Sequence, residues 1–285
     1  MDNMKYINAF CFGMPKCGST TVSSLLGGHA EICLHNQKEP ADFLRYTSEK
    51  KRLSGYRVSN RTKVLLDFTT SYGLTDNRDT FFRNIKASGL KPEDAYFFLC
   101  VRRAEDMCRS YLAHVFSRRS VNVQTEKKDV LNELRGALDA SGALVRLVEE
   151  AGAKNIFVVR FDDLVKDSTQ SILATNMFKW LGLEPVATST LWENSAGSAR
   201  RYPDGVDKIV GILRNTAFFR MMPREIRAPL QQLFSTDATL PANYEDLSTE
   251  LFQIAMSFRE AKEMNRFYET ISSGPVEVSG GNLNL

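Results

Sequence analysis

Five short apolar runs constrain this chain more than anything else in it. Tyr6–Phe12, Glu31–Leu34, Val64–Asp67, Tyr96–Val101 and Ile156–Phe161 are β-rich, and the stretches between them carry helical spacing. Those stretches are Ser19–Leu26, Asp76–Ala87, Ala104–Phe116 and a long Glu126–Glu150. Strands that alternate with helices predict an α/β fold, a parallel sheet flanked by helices. Beyond Gly182, which stops the helix ending in "FKWLGL", the character changes. Helical patterns at Val206–Phe219, Arg224–Phe234 and Glu245–Ile271 give a helical C-terminal third. We read a single domain over residues 1–272. The tail, 273–285, is rich in glycine and serine and is expected to be mobile.

Composition narrows the function. A chain of 285 residues buries a substantial core. A net charge of +3 is too small to argue for nucleic acid, although a local basic patch can still steer an anionic ligand. The five cysteines form an odd set with no C-x-x-C pair and read as reduced thiols packed as small hydrophobes. No apolar run is long enough to cross a bilayer, and the first strand follows "MDNMK" with no room for a signal peptide. The expectation is a cytoplasmic protein.

The first strand leads into "GMPKCGSTT". Gly13 and Gly18 keep the spacing of a phosphate-binding loop, G-x-x-x-x-G-K-S/T, but Ser19 stands in the lysine slot and Lys16 lies inside the loop. The amides of Ser19, Thr20 and Thr21 open a helix and offer unpaired N–H groups and a positive dipole end to an anion; their hydroxyls add donors. A plain strand-to-helix turn capped by Ser19 or Thr20 has the same residues. Lys16 favours the anion: from inside the loop it reaches the distal side of a diphosphate-like group, where a cation stabilises a leaving phosphate.

"PKCGSTT" resembles the P-K-S/T-G-S/T-T loop of the sulfotransferases that use 3′-phosphoadenosine 5′-phosphosulfate. The resemblance implies that Lys16, Cys17, Gly18, Ser19, Thr20 and Thr21 hold the 5′-phosphosulfate, with Cys17 read through its backbone. It also implies adenosine 3′,5′-bisphosphate as product, with no metal. The family's second motif is a strand ending in Arg, with Ser eight residues on. Arg102, Ser110 and the following Tyr111 match it, with Arg103 an alternative one register away. A guanidinium fork and a helix hydroxyl suit a 3′-phosphate. Downstream, "RFDDLVKDSTQSILATNMFKWLGL" resembles the family's strand–acidic–Leu segment. "WENSAGSARRYP" is similar to a loop of bacterial members, in which Arg200 or Arg201 closes over the 3′-phosphate. The likeness runs from Tyr6 to about Ile271.

The acceptor hydroxyl needs a base within hydrogen-bond reach. "EICLHNQKEPADF" is similar to the carbohydrate-directed branch, typified by heparan sulfate sulfotransferases, which uses a Glu after the second strand. That implies Glu39 as base. Glu39 beside Pro40 also suits the first turn of a helix. Those enzymes carry E-K-S/T-x-x-Y after the third strand; here "DFTTSY" keeps Asp67, Thr69 and Tyr72 in kind but has Phe68 for the lysine. Asp67 is a candidate to orient Lys16 or to act as the base, and His114 either faces the acceptor or lies on a helix surface. The branch implies a carbohydrate or glycolipid acceptor; a small natural-product alcohol or a phenol stays open. The rival class is a P-loop kinase or NTPase, since "KVLLDFTT" also reads as a strand ending in a magnesium-binding Asp.

Overall fold

The structure, a computed structural model, describes residues 6–45, 52–118, 123–188, 200–201, 236–237, 244–279 and 282–283. Its centre is a six-stranded sheet in the order β2-β3-β1-β4-β5-β8. The strands are β1 (Ile7–Cys11), β2 (Ile32–Leu34), β3 (Val64–Asp67), β4 (Tyr96–Val101), β5 (Ile156–Arg160) and β8 (Gly274–Pro275). The first five are mutually parallel, and only β8 runs antiparallel, on β5. β3 and β4 are buried along nearly their whole length, as expected of parallel strands covered on both faces.

Helices α1 (Ser19–Gly27), α2 (Arg78–Ala87), α3 (Ala104–Arg118), α4 (Val123–Leu138), α5 (Ala140–Ala151), α6 (Phe161–Val165) and α7 (Asp167–Trp180) follow in chain order. An aromatic cluster of Phe10, Phe12, Phe43, Tyr72, Phe81, Phe82 and Phe97 packs beside β1 and β4, with contacting ring centroids 4.4–6.5 Å apart. The chain leaves β1 toward β2 on one side and later returns to β4 on the other. The carboxyl ends of β1 and its neighbours therefore flank the crevice where ligands sit in open α/β sheets.

Three expectations change. The long Glu126–Glu150 pattern is two helices, α4 and α5, parted at Asp139. Asp139 accepts the Gly142 N–H at 3.1 Å as the α5 cap and binds Arg78 at 2.7 Å, so capping and an ion pair together outweigh helical continuity. Glu245–Ile271 is likewise split at Phe258, whose extended backbone separates α8 (Tyr244–Ser257) from α9 (Arg259–Thr270). The tail does not begin loose at residue 273. β8 lengthens the sheet, Val276 N–H donates to Ile156 O at 2.9 Å, and Val278–Ser279 (β9) pairs with Asn282–Leu283 (β10). The helical patterns at 206–219 and 224–234 lie outside the described residues. Gly182 ends α7 as expected: its φ is 71°, and Leu183 N–H closes on Phe178 O at 2.9 Å.

Among the described residues no helix is long and apolar enough to cross a membrane, and no group of His, Cys, Asp and Glu is arranged to hold a metal. All five cysteines are free and buried.

Candidate active site

β1 carries its hydrogen bonding past its own end. Phe12 N–H bonds Phe98 O, and Met14 N–H bonds Cys100 O at 2.7 Å, so the loop from Pro15 to Gly18 is launched from a rigid base. Gly18 adopts φ 89°, which glycine takes without cost, and a Cβ there would stand 2.5 Å from Leu164 and 3.1 Å from Phe161. It is the N-cap of α1 and has no side chain to cap with; Val22 N–H is the first to return, to Gly18 O. The amides of Ser19, Thr20 and Thr21 thus stand at a helix start with a partial positive charge, next to half-buried hydroxyls. Cys17 turns the other way: its side chain is fully buried, its Sγ lies 3.5 Å from Pro15 O, and burial pushes the thiol far up. Only its backbone faces the loop.

Lys16 occupies the left-handed region at φ 63° without being glycine. Its carbonyl accepts Arg102 Nη1 at 3.4 Å, so the end of β4 reaches across to the loop after β1. The Arg102 guanidinium lies over the Phe161 ring at 3.9 Å, while its buried Nε has no hydrogen-bond partner among the described residues. Phe161, which sequence reasoning did not single out, therefore touches both candidate anion-binding segments: it lies beside Gly18 and beneath Arg102. In the sequence it is the last residue of the apolar run Ile156–Phe161; in the structure β5 ends at Arg160 and Phe161 opens α6. Arg103 is exposed and lies over the Tyr268 ring at 5.6 Å, with Arg160 on the same ring at 4.7 Å.

Ser110 and His114 sit one turn apart on α3, both half-buried. Asn265 on α9 accepts the Ala104 N–H at 2.9 Å, anchoring the start of that helix. Tyr111 donates to Glu133 on α4. Arg200–Arg201 (β6) pairs with Thr236–Asp237 (β7), and β6 lies against α3, the helix that carries Ser110; their side chains lie outside the described residues.

Glu39 does not open a helix. It is exposed, at φ 56°, and leads through Pro40 into a turn in which Leu44 N–H returns to Ala41 O. Thr70 Oγ1 donates to Glu39 Oε1 at 3.2 Å, and the Thr70 carbonyl lies against Gly13 at the root of the Lys16 loop. Thr70 thus bridges the Glu39 turn to the Lys16 loop, a role that "DFTTSY" suggested only for its neighbours. The approach is close because residue 73 is glycine: a Cβ there would sit 1.7 Å from Phe12 O. Phe68 is buried and packs against Phe98 at 5.8 Å, so the position at which the resemblance implied a lysine is part of the core.

Asp67 is 2% exposed and accepts from Thr69 at 2.6 Å and Tyr72 at 2.7 Å. Burial lifts its carboxyl from 3.8 to about 7, against the lowering effect of those two hydroxyls. Between about pH 4 and 7 the folded chain then holds a proton that the unfolded chain has released, so this residue makes folding less favourable as pH rises. Thermal melts of Asp67→Asn across pH 4 to 7.5 are expected to gain on wild type through that window. Melting curves that shift in parallel would show that Asp67 is ionised throughout.

Of the remaining histidines, His29 is buried and fixed. Its Nδ1 accepts the Glu31 N–H at 3.1 Å, which leaves the proton on Nε2 to donate to Glu184 O at 2.9 Å. His35 packs edge-on to Tyr56, its Nε2 3.6 Å from Asp42, and burial lowers its pKa.

The same architecture occurs in a solved sulfotransferase from Alicyclobacillus acidocaldarius, with a TM-score of 0.55 and 14% identity over 87% of this chain and 96% of that one. The chain has a sulfotransferase fold. Weaker likenesses are the sulfotransferase domain of the Synechococcus olefin synthase (TM-score 0.40, 14% identity, 88% and 96% covered) and a mouse sulfotransferase complexed with PAP (0.42, 13%, 94% and 90%). No protein-family model and no curated protein matches the sequence. On this sulfotransferase fold, the four loops that follow β1, β2, β3 and β4 share one edge. They bring together a helix start with no side-chain cap, a lysine, an arginine whose Nε is unsatisfied among the described residues, and an exposed carboxylate.

Proposed function

We propose that this chain transfers a sulfuryl group from 3′-phosphoadenosine 5′-phosphosulfate to an acceptor hydroxyl, with residues 1–272 as the working domain. The observation that carries the reading is the meeting of two distant segments: Arg102 bonds the Lys16 carbonyl, beside a helix start with no side-chain cap. A phosphosulfate on the amides of Ser19, Thr20 and Thr21 would place its bridging oxygen toward Lys16. Arg102 and Ser110, with Arg200 or Arg201, would take the 3′-phosphate. Glu39 would draw the proton from the acceptor oxygen as that oxygen attacks sulfur in line. The S–O bond to the 5′-phosphate then breaks, and its electron pair leaves on the bisphosphate, where Lys16 balances the charge. Sulfuryl transfer of this kind calls for no bridging metal. An acceptor on a carbohydrate or glycolipid fits the Glu39 arrangement, and a cytoplasmic location fits a nucleotide donor.

The test is a thermal-shift comparison of adenosine 3′,5′-bisphosphate with ADP and ATP, each with and without magnesium. A ligand that binds only the folded state raises its stability, by about 2.7 kcal/mol at a hundredfold excess over Kd. Selective, magnesium-independent stabilisation by the bisphosphate is expected. Stabilisation by ATP only with magnesium would overturn the reading in favour of a kinase or NTPase.

A further inference from the structure

The turn that carries Glu39 is held by an unusual set of bonds. Thr69 Oγ1 accepts the Ala41 N–H at 3.1 Å, and the Tyr72 hydroxyl oxygen accepts the Phe43 N–H at 3.4 Å. Each of these hydroxyls spends its own proton on Asp67, Thr69 on Oδ1 and Tyr72 on Oδ2. Two relays therefore run side by side from one buried carboxyl, through a hydroxyl each, to backbone amides on either side of Asp42. The turn needs such support. Glu39 and Ala41 both have left-handed backbones, at φ 56° and 54°, which non-glycine residues keep only when their surroundings enforce it.

We propose that Asp67 is a positioning residue: through the Thr69 and Tyr72 hydroxyls its carboxyl fixes the turn over residues 39–43 and aims Glu39 at the acceptor. This rests on the reading of Glu39 as base, and it gives Asp67 a role other than orienting Lys16 or acting as the base itself. With both oxygens taken up by hydroxyl donors and 2% exposure, the Asp67 carboxyl faces no substrate.

The polarity of the relay requires an acceptor-only group at position 67. A hydroxyl has one proton, so accepting from an amide and donating onward works only if the next atom accepts. Asparagine, or a protonated aspartic acid, presents a donor to one of the two hydroxyls and turns that hydroxyl's proton away. The surrounding charges are balanced around this point: Arg52 favours the ionised form and Asp42 opposes it, while the phenols of Tyr56 and Tyr72 face the same carboxyl. The carboxyl titrates near neutrality, so the grip on the turn tightens as pH rises through about 7.

Hydrogen exchange followed by mass spectrometry on wild type, Asp67→Asn and Tyr72→Phe tests the relay without any substrate. Amides of residues 41–43 are expected to exchange about tenfold faster in both variants, while those of α1 and the central strands keep their protection. Unchanged exchange in the turn, or a uniform rise across the sheet, would overturn the proposal. Turnover is the second arm, read as bisphosphate released from the donor in the presence of pooled sugars, alcohols and phenols. Asp67→Asn is expected to lower kcat about tenfold with the donor KM unchanged, and to cost almost nothing more in a Glu39→Gln background. Equal losses in both backgrounds would also overturn it. If the bisphosphate fails to stabilise wild type, the sulfotransferase reading falls while the exchange arm still decides what Asp67 does.

Discussion

Glu39→Gln is expected to lower turnover about 10²–10⁴-fold, the range in which a positioned general base contributes. The substitution keeps the shape and the hydrogen bond from Thr70, because the amide oxygen can accept where Oε1 does. What it removes is the capacity to take a proton. Glu39 is exposed and lies in a turn outside the donor loop, so bisphosphate binding, measured by thermal shift, should stay as in wild type. That separation gives the result its meaning: lost turnover with intact binding assigns the base. Turnover close to wild type would remove Glu39 from the chemistry and send the search for a base to His114, on the same helix as Ser110.

Lys16→Gln should cost about 10²–10³-fold in turnover, the scale seen when a single group facing developing charge is removed. The charge on the bridging oxygen grows as the S–O bond breaks, so a cation there acts more on the transition state than on the bound donor. The kinetic signature is therefore a fall in kcat much larger than any rise in donor KM. The backbone around Lys16 is held by the Arg102 bond to its carbonyl and by the glycine turn at residue 18, so the variant should fold as wild type does. A kcat within threefold of wild type would mean that charge at the leaving group is balanced elsewhere, with Arg102, which bonds the Lys16 carbonyl, the next cation to test.

The sheet could be read from the sequence because its strands are covered on both faces and appear as unbroken apolar runs. β3 and β4 have the expected ends. What escaped was decided by partners far along the chain. Asp139 divides a continuous helical pattern because Arg78, 61 residues earlier, meets it there. β8 joins the sheet through backbone groups alone, from a Gly–Pro pair whose side chains carry no strand pattern. The candidate site divides in the same way. Lys16, Gly18, Arg102 and Ser110 are visible as spacings within two short segments. Phe161, which touches both segments, and Thr70, which joins the Glu39 turn to the first of them, do not stand out in the sequence, because their importance lies in what they touch. The left-handed backbones at Lys16, Glu39 and Ala41 were equally hidden, since the sequence signal for positive φ is glycine or asparagine.

Those three conformations carry a consequence for the chain's history. A left-handed backbone disfavours every L-residue with a Cβ and leaves glycine untouched. At positions 16, 39 and 41, drift toward a sturdier fold therefore points to glycine, and at two of the three that change would erase a proposed reactive group. A lineage released from its chemistry would be expected to lose Lys16 and Glu39 early and to keep its sheet. Lys16 and Glu39 thus stand where backbone energetics alone would favour glycine.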